Sequence, residues 1–434
     1  MGFAEDKPKS GRFFYGWWIV AAALGFTFIM AGTGFYSFGV LLKPVMNEFG
    51  WSRGAVSVAQ SIYLLTAAFA GFVVAKLIER HSIRKIMLLG AIISGITWLL
   101  LSLTSSLWYL YIMYFINGLG LGGGAGLIPV AIVTSNWFSK RKGTAMGIVT
   151  VGIALGAMII APLVGFIAEE FSWRISYLFM GLLVLIVDVP LALFLVKDRP
   201  SDMGLVPDGD DPSTVSGIVS DISYDQPVPE VQSSWFKRPA VYWLCLSFVL
   251  AQSAEMATLI HEVSFITDMG FSATTAAVAL GVTGGVGGIG KVVFGWLTDK
   301  ISSRYVTALC FGIQLIGLLV LTQTRSMVMI WLFVALFGFG MGGMPTLLPL
   351  SVAELFGTVK FGVIYGFVHF IVIGVSSIGP PFAGFIYDTT GSYAFAFNVF
   401  VITYFISIIA IYFTWGVNPK PLIRPRMSAI MGHK

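Results

Sequence analysis

The sequence predicts an all-α membrane protein, with twelve transmembrane helices arranged as two pseudo-symmetric six-helix bundles. Three observations predict it. Of 434 residues, 57% are hydrophobic and only 11% charged, with a mean hydropathy of +0.87, so too little polar surface exists to coat a soluble globule of this length. The apolar runs are long and continuous rather than alternating. Blocks in the first half of the chain recur in the second at a nearly constant offset.

Hydrocarbon offers the backbone no hydrogen-bond partners, so a spanning chain must be helical or form a closed barrel. A barrel would show alternating apolar residues, which are missing here. About 20 apolar residues cross a core of roughly 30 Å. Runs of that kind begin near Phe14, Ala55, Ile86, Leu107, Thr144, Ser176, Ala240, Thr274, Tyr305, Met329, Phe361 and Ala394. The first follows Lys7, Lys9 and Arg12, is too long for a signal peptide and lacks a small-residue cleavage site, so it reads as an uncleaved first helix. Cys245 and Cys310 fall inside predicted helices 7 and 9 as small apolar residues, and imply neither a disulfide nor a metal framework.

Lys and Arg are divided very unevenly, and positive loops stay in the cytoplasm. The N-terminal tail, the turns holding Arg80, Arg84, Lys85, Lys140, Arg141, Lys142, Lys300, Arg304 and Lys360, the middle loop and the C-terminal tail together carry 20 of the 26. The other side carries four, Lys43, Arg53, Arg174 and Arg325, while Lys76 and Lys291 lie within helices. Both termini are therefore expected in the cytoplasm. The pI near 9.1 is accounted for by topology and does not suggest nucleic-acid binding.

Residues 197–238 are rich in Asp, Ser, Pro and Gly, a composition that supports no core and reads as a cytoplasmic linker. It separates bundle 1–196 from bundle 239–416, which is followed by a cytoplasmic tail, 417–434. Ala75 to Arg84 matches Gly295 to Arg304 with an acid, a base and an Arg in register, 220 positions apart. Ala161 to Ile167 matches Pro380 to Ile386 at an offset of 219, and Phe171-Ser172-Trp173 matches Gly391-Ser392-Tyr393 at 220. Two such repeats with a solute site between them near the midplane form an architecture suited to alternating access.

The turn Glu79-Arg80-His81-Ser82-Ile83-Arg84-Lys85 and its partner at Asp299 resemble the acidic-basic loop motif of the major facilitator superfamily, with Ser82 and Ser302 where the family usually has Gly. Tyr15-Gly16-Trp17-Trp18, Tyr36-Ser37-Phe38-Gly39-Val40, Phe49-Gly50-Trp51-Ser52-Arg53, Trp137-Phe138 before Lys140-Arg141, and Gly379-Pro380 before Thr390-Gly391-Ser392-Tyr393 resemble its monocarboxylate transporter and oxalate/formate antiporter branch. The resemblance covers essentially the whole membrane part. It implies the major facilitator fold and a secondary carrier of small monocarboxylates, proton-coupled, in the inner membrane. An anion exchanger of the oxalate/formate kind is the alternative.

Lys291 lies eight residues before Asp299, about 12 Å inside the helix end at about 1.5 Å per residue. A charge at that depth is costly unless it faces a cavity or a partner. Its position resembles that of the helix-8 Arg that binds the substrate carboxylate in the family, although Lys offers a point charge instead of a planar fork. Gly287 stands where animal members carry an Asp. Glu255 in helix 7 is then the candidate proton carrier or counter-ion, with His369 in helix 11 a second candidate for proton coupling and for substrate contact. Tyr365 lies one turn before His369 on the same face. Tyr36 and Asn117 are polar groups in helices that line the cavity of this fold. Asp188 reads as a hydrogen-bonded structural acid, and His261 and Glu262 as residents of a wet outer vestibule. Glu79, Arg80, Arg84, Asp299, Lys300 and Arg304 at helix ends are expected to gate by pairing. The glycines from Gly118 to Gly126 read as close helix packing, since no Lys-Ser/Thr ending makes them a phosphate loop. No catalytic residue, metal site or cofactor is expected. The expected partners are a small carboxylate, protons and the lipid bilayer, and the chain is expected to be a monomer.

Overall fold

A computed structural model describes residues 14–138, 141–208, 235, 238–357 and 361–416. Lys7, Lys9, Arg12, Lys140, Lys237, Lys360, most of the linker and the tail from 417 lie outside the described residues.

Among the described residues, twelve helices are long and apolar enough to cross a membrane. The first six are α1 Gly16–Phe49, α2 Arg53–Ile78, α3 Ile83–Leu101, α4 Leu107–Trp137, α5 Gly143–Glu170 and α6 Trp173–Leu195. The second six are α7 Pro239–Asp268, α8 Ala273–Lys300, α9 Ser303–Thr322, α10 Met327–Phe356, α11 Ile364–Thr390 and α12 Ala394–Trp415. The twelve apolar runs are thus twelve spans. Among the described residues the β structure is confined to one bridge, Phe138 with Asp208.

Lipid tails are as apolar as the side chains, so close packing rather than the hydrophobic effect holds these helices together. Small residues supply that closeness. A Cβ at Gly156 of α5 would lie 2.2 Å from the Phe28 carbonyl oxygen of α1, and one at Gly120 of α4 would lie 2.9 Å from the Ser94 nitrogen of α3. The glycine cluster of α4 is accordingly a packing surface. It also unwinds the helix: Gly118–Gly124 is π-helical. Within the first half α1 packs on α5 and α3 on α6; within the second, α7 packs on α12 and α9 on α10.

Residues 192–198 mark one face of the molecule, the linker face. Tyr15 Oη donates to Leu195 O at 3.0 Å and Trp137 Nε1 to Lys197 O at 3.0 Å. The Arg84 amide donates to Asp198 Oδ1 at 2.8 Å, and its guanidinium to the carbonyls of Ala192 and Leu193.

The halves meet through α5 on α8 and through α2 on α11. A Cβ at Gly165 would be 2.6 Å from Ala277 Cβ, and one at Gly284 would be 2.3 Å from Ala157 Cβ. Gly143 and Gly147 of α5 and Gly366 of α11, nearer the linker face, have nothing within 4 Å of such a Cβ. Hydrogen bonds between the halves, among the described residues, run from the far face down to Ser61, which donates to the Ser377 carbonyl. Among the described residues, the halves are therefore closed at the far face and apart at the linker face.

Candidate functional site

Tyr36 closes a π-helical turn of α1, Met30–Tyr36. Such a turn leaves carbonyls without their usual partners. Thr33 Oγ1 donates to Ile29 O at 2.8 Å and Ser37 Oγ to Gly32 O at 2.7 Å, which satisfies two of them. The turn brings the Tyr36 ring against α8, where a Cβ at Gly284 would be 3.2 Å from Tyr36 Cζ.

Lys291 lies seven residues beyond Gly284, two helical turns on the same face of α8, and that face is turned to the first half. Its side chain is half-buried, and it makes no ion pair or hydrogen bond with any described residue. Glu255 of α7 makes no ion-pair contact with it. Glu255 is 5% exposed; its Oε1 accepts from Gln252 Nε2 at 3.2 Å, and its Oε2 has no partner. On α11 the rings of Tyr365 and His369 lie 5.4 Å apart, and His369 Nδ1 is buried without a partner. Tyr36 of the first half thus lies against the α8 face that carries Lys291 two turns on.

Asn117 sits elsewhere. It is 0% exposed, and its Oδ1 accepts from Ser94 Oγ of α3 at 3.3 Å, so it ties α4 to α3 inside the first half. Asp188 is fully buried, but neither carboxylate oxygen has a hydrogen-bond partner, unlike the bonded acid expected. His261 and Glu262 are 0% exposed, which replaces the expected wet vestibule with a closed interface.

The expected gate residues at the linker face form no ion pairs with one another. Glu79, Arg80 and Asp299 are exposed. Lys300 Nζ stacks 3.7 Å from the Trp296 ring centroid, and Arg304 lies 4.5 Å from that of Tyr412. The acid that engages the second turn is Glu354 of α10, accepting from Ser302 Oγ at 2.6 Å and the Ser303 amide at 2.8 Å. Each turn is bound within its own half, as expected where the halves stand apart.

The ion pairs between halves, among the described residues, are at the far face, where Lys43 and Arg53, two of the minority charges, meet Asp268. Arg53, 4% exposed, grips Asp268 of α7 through two bonds of 2.6 and 3.0 Å. The same guanidinium donates to Tyr393 Oη at 2.9 Å and lies 3.6 Å from the Tyr387 ring centroid. Lys43 completes the cluster at 2.6 Å from Asp268. Asp388 of α11 accepts from the amides of Arg53 and Gly54, both at 2.8 Å, so an acid of one half caps the α2 N-terminus of the other. Behind them His261 contacts Tyr393 Oη at 2.9 Å and the Pro380 carbonyl at 2.8 Å. Two left-handed glycines set this up, Gly50 (φ 66°) ending α1 and Gly391 (φ 70°) ending α11 just before Arg53 and Tyr393. A signal was present in the sequence: the blocks Phe49 to Arg53 and Thr390 to Tyr393 each end on a member of the cluster.

A family model described as Major Facilitator Superfamily matches residues 24–376. The chain is 30% identical over 336 residues to monocarboxylate transporter 12 of Rattus norvegicus, a match covering 72% of this chain and 67% of that one. It is 25% identical over 406 residues to monocarboxylate transporter 13 of the same species, covering 92% and 88%. A solved structure of a bacterial homolog to the human lysosomal transporter Spinster, titled as inward-facing and unoccupied, superimposes with a TM-score of 0.72 at 16% identity, covering 95% of this chain and all of that one. With twelve spans in two packed halves and a family match over most of its length, the chain belongs to the Major Facilitator Superfamily.

Proposed function

We propose that this membrane transporter carries small monocarboxylates together with protons by alternating access, with Lys291 as the anion anchor. One observation carries the reading: a half-buried cation at mid-depth with no ion pair or hydrogen bond among the described residues, on the α8 face turned to the other half. The relatives' names, monocarboxylate transporter 12 and 13, agree with an anionic substrate of this class. Electrostatics supplies the coupling. While Glu255 is ionised it offsets the Lys291 charge; once protonated, it leaves the cation uncompensated, and a carboxylate restores neutrality. Proton and anion then move together, since either alone leaves a net charge in the seam. Tyr36, Tyr365 and His369 would contact the substrate, and Asn117, turned into the scaffold, would not. A doubly charged substrate would need a second cation, for which a protonated His369 is the candidate.

In this state the linker face is open. Glu79, Arg80, Arg84, Asp299, Lys300 and Arg304 would come together when that face closes. The charge asymmetry supports a cytoplasmic linker face, both termini included, in the inner membrane.

Two measurements test this. In proteoliposomes, Glu255→Gln should lose accumulation of lactate or pyruvate driven by a pH gradient and retain counterflow, because an amide holds geometry but carries no proton. If Glu255→Gln and His369→Gln both accumulate normally, neither is the proton carrier. Single cysteines at Ser233 and Ser326 should react with an impermeant maleimide from opposite sides of the membrane; labelling of both in intact cells would reverse or abolish the proposed topology.

A further inference from the structure

His261 of α7 lies within the closed far face, 0% exposed, with both ring nitrogens engaged. Nε2 is 2.8 Å from the Pro380 carbonyl oxygen, with Ser57 Oγ of α2 more distant at 3.4 Å, and Nδ1 is 2.9 Å from Tyr393 Oη. A carbonyl oxygen only accepts, so Nε2 carries a hydrogen and donates it to Pro380. Tyr393 Oη already accepts from Arg53 Nη1 at 2.9 Å, so its own hydrogen goes to the Nδ1 lone pair. The bonds run in one direction, from Arg53 to Tyr393 to His261 to Pro380, and that direction fixes the imidazole as neutral.

A second ring proton breaks this chain. With a hydrogen on Nδ1, Tyr393 Oη would receive that N–H and the guanidinium N–H together. Its hydroxyl hydrogen would then have no acceptor, since the oxygen has no other hydrogen-bond partner among the described residues. Two cations would also converge on one oxygen in a site shielded from water. Opening of the far face removes both objections. Pro380 and Tyr393 share the second half with His261, whereas Arg53 and Ser57 belong to the first. Separation of the halves therefore frees Tyr393 Oη from the guanidinium and uncovers the ring on the side of Ser57. Nδ1–H can then donate to Tyr393, and the hydroxyl to water.

We infer that His261 is a proton-binding site that fills when the far face opens and empties when it closes, so that acid on that side favours the open far face. This rests on the alternating-access reading above, but not on the substrate. The surrounding charged and titratable groups leave His261 this role. Arg53 of α2 and Lys43 of α1 are both bound to Asp268 of α7. Asp388 of α11 is held by two α2 amides, and the neighbouring Tyr387 ring lies under the Arg53 guanidinium. Glu262 of α7 is turned to Thr283 of α8. Glu255, Lys291 and His369 lie further toward the linker face, as does Glu354 of α10, and α12 carries no charged residue.

The test measures distances between spin labels at Ser106 and Ser326, on far-face turns of the two halves, in purified full-length protein without substrate. The two conditions are about pH 8 and about pH 5.5, on either side of the ordinary imidazole value of about 6.5. The open state binds one proton more than the closed state, so the closed state loses ground as pH falls. With an ordinary imidazole when open and a neutral one when closed, the ratio of long to short distances should rise about tenfold between the two conditions. His261→Gln, whose amide binds no proton, should give the same ratio at both. His261→Lys, a fixed cation, should favour the long distance at both, and either variant decides the matter if the other folds poorly. A flat ratio in wild type, or a response that survives in His261→Gln, would overturn the inference, as would a response lost in Glu255→Gln instead. A single distance under every condition, Arg53→Gln included, would remove the alternating-access reading along with it.

Discussion

Lys291→Ala should reach the membrane in normal amounts and lose saturable carboxylate binding. The expected loss is large because a substrate carboxylate would meet no other permanent cation at that depth among the described residues. Removing one member of a buried, hydrogen-bonded charge pair costs about 2–5 kcal/mol. At about 1.4 kcal/mol per decade, that is roughly 30-fold to several thousand-fold in Kd. Folding should be spared, since Lys291 makes no ion pair or hydrogen bond with a described residue that its removal would orphan. Lys291→Arg keeps the charge but changes a compact ammonium into a planar fork, and should recover part of the affinity. Titration calorimetry in detergent with pyruvate on the three forms decides it. Equal affinity for wild type and a well-folded Lys291→Ala protein would remove the anchor and leave Tyr36, Tyr365 and His369 to be tested in its place. A double substitution, Lys291→Ala with Glu255→Gln, carries a further expectation. If the two charges offset each other, the pair should be better tolerated in thermal stability than Lys291→Ala alone, which leaves an uncompensated acid.

The spans and the repeat were legible because lipid imposes them: every backbone group must bond within the segment, and segment length is set by the bilayer. Lys291 and Glu255 stood out for the same reason, as charges within apolar runs. Residues at span ends give no such signal. Arg53 and Asp268 are 215 positions apart, and Asp388 is 335 from Arg53, with only the surrounding family-like blocks to hint at their meeting. Depth alone also misplaces polar residues, because it ignores rotation about the helix axis. Asn117 has the depth of a cavity residue but the direction of a scaffold residue, turned to Ser94. His261 and Glu262 lie near a helix end, where water is the default neighbour, yet closure of the halves at that end buries both. The linker-face charges, expected as pairs, are apart for the complementary reason.

The far-face cluster should behave as the lock on this state, and Arg53→Gln should release it. Arg53 makes both of its strong side-chain contacts, to Asp268 and Tyr393, across to the second half, so they exist only while the far face is closed. Its 4% exposure makes the contacts count, since hydrogen bonds to a charged group shielded from water contribute more than those at the surface. Glutamine cannot span the fork to Asp268 or hold the stack on Tyr387. The closed far face should lose about 1.5–3 kcal/mol relative to the open one, enough to move a two-state balance by about one to two decades. Lys43 still neutralises Asp268, and Asp388 still caps α2 through backbone amides that the substitution leaves intact, so the protein should remain folded. Spin labels at Ser106 and Ser326, one at a far-face turn of each half, should then show a longer inter-label distance gaining population in Arg53→Gln. Arg53→Lys should fall between, because an ammonium keeps the charge and loses the second bond. Identical distance distributions in Arg53→Gln and wild type would mean that close packing along α5 and α8, rather than this cluster, holds the far face shut.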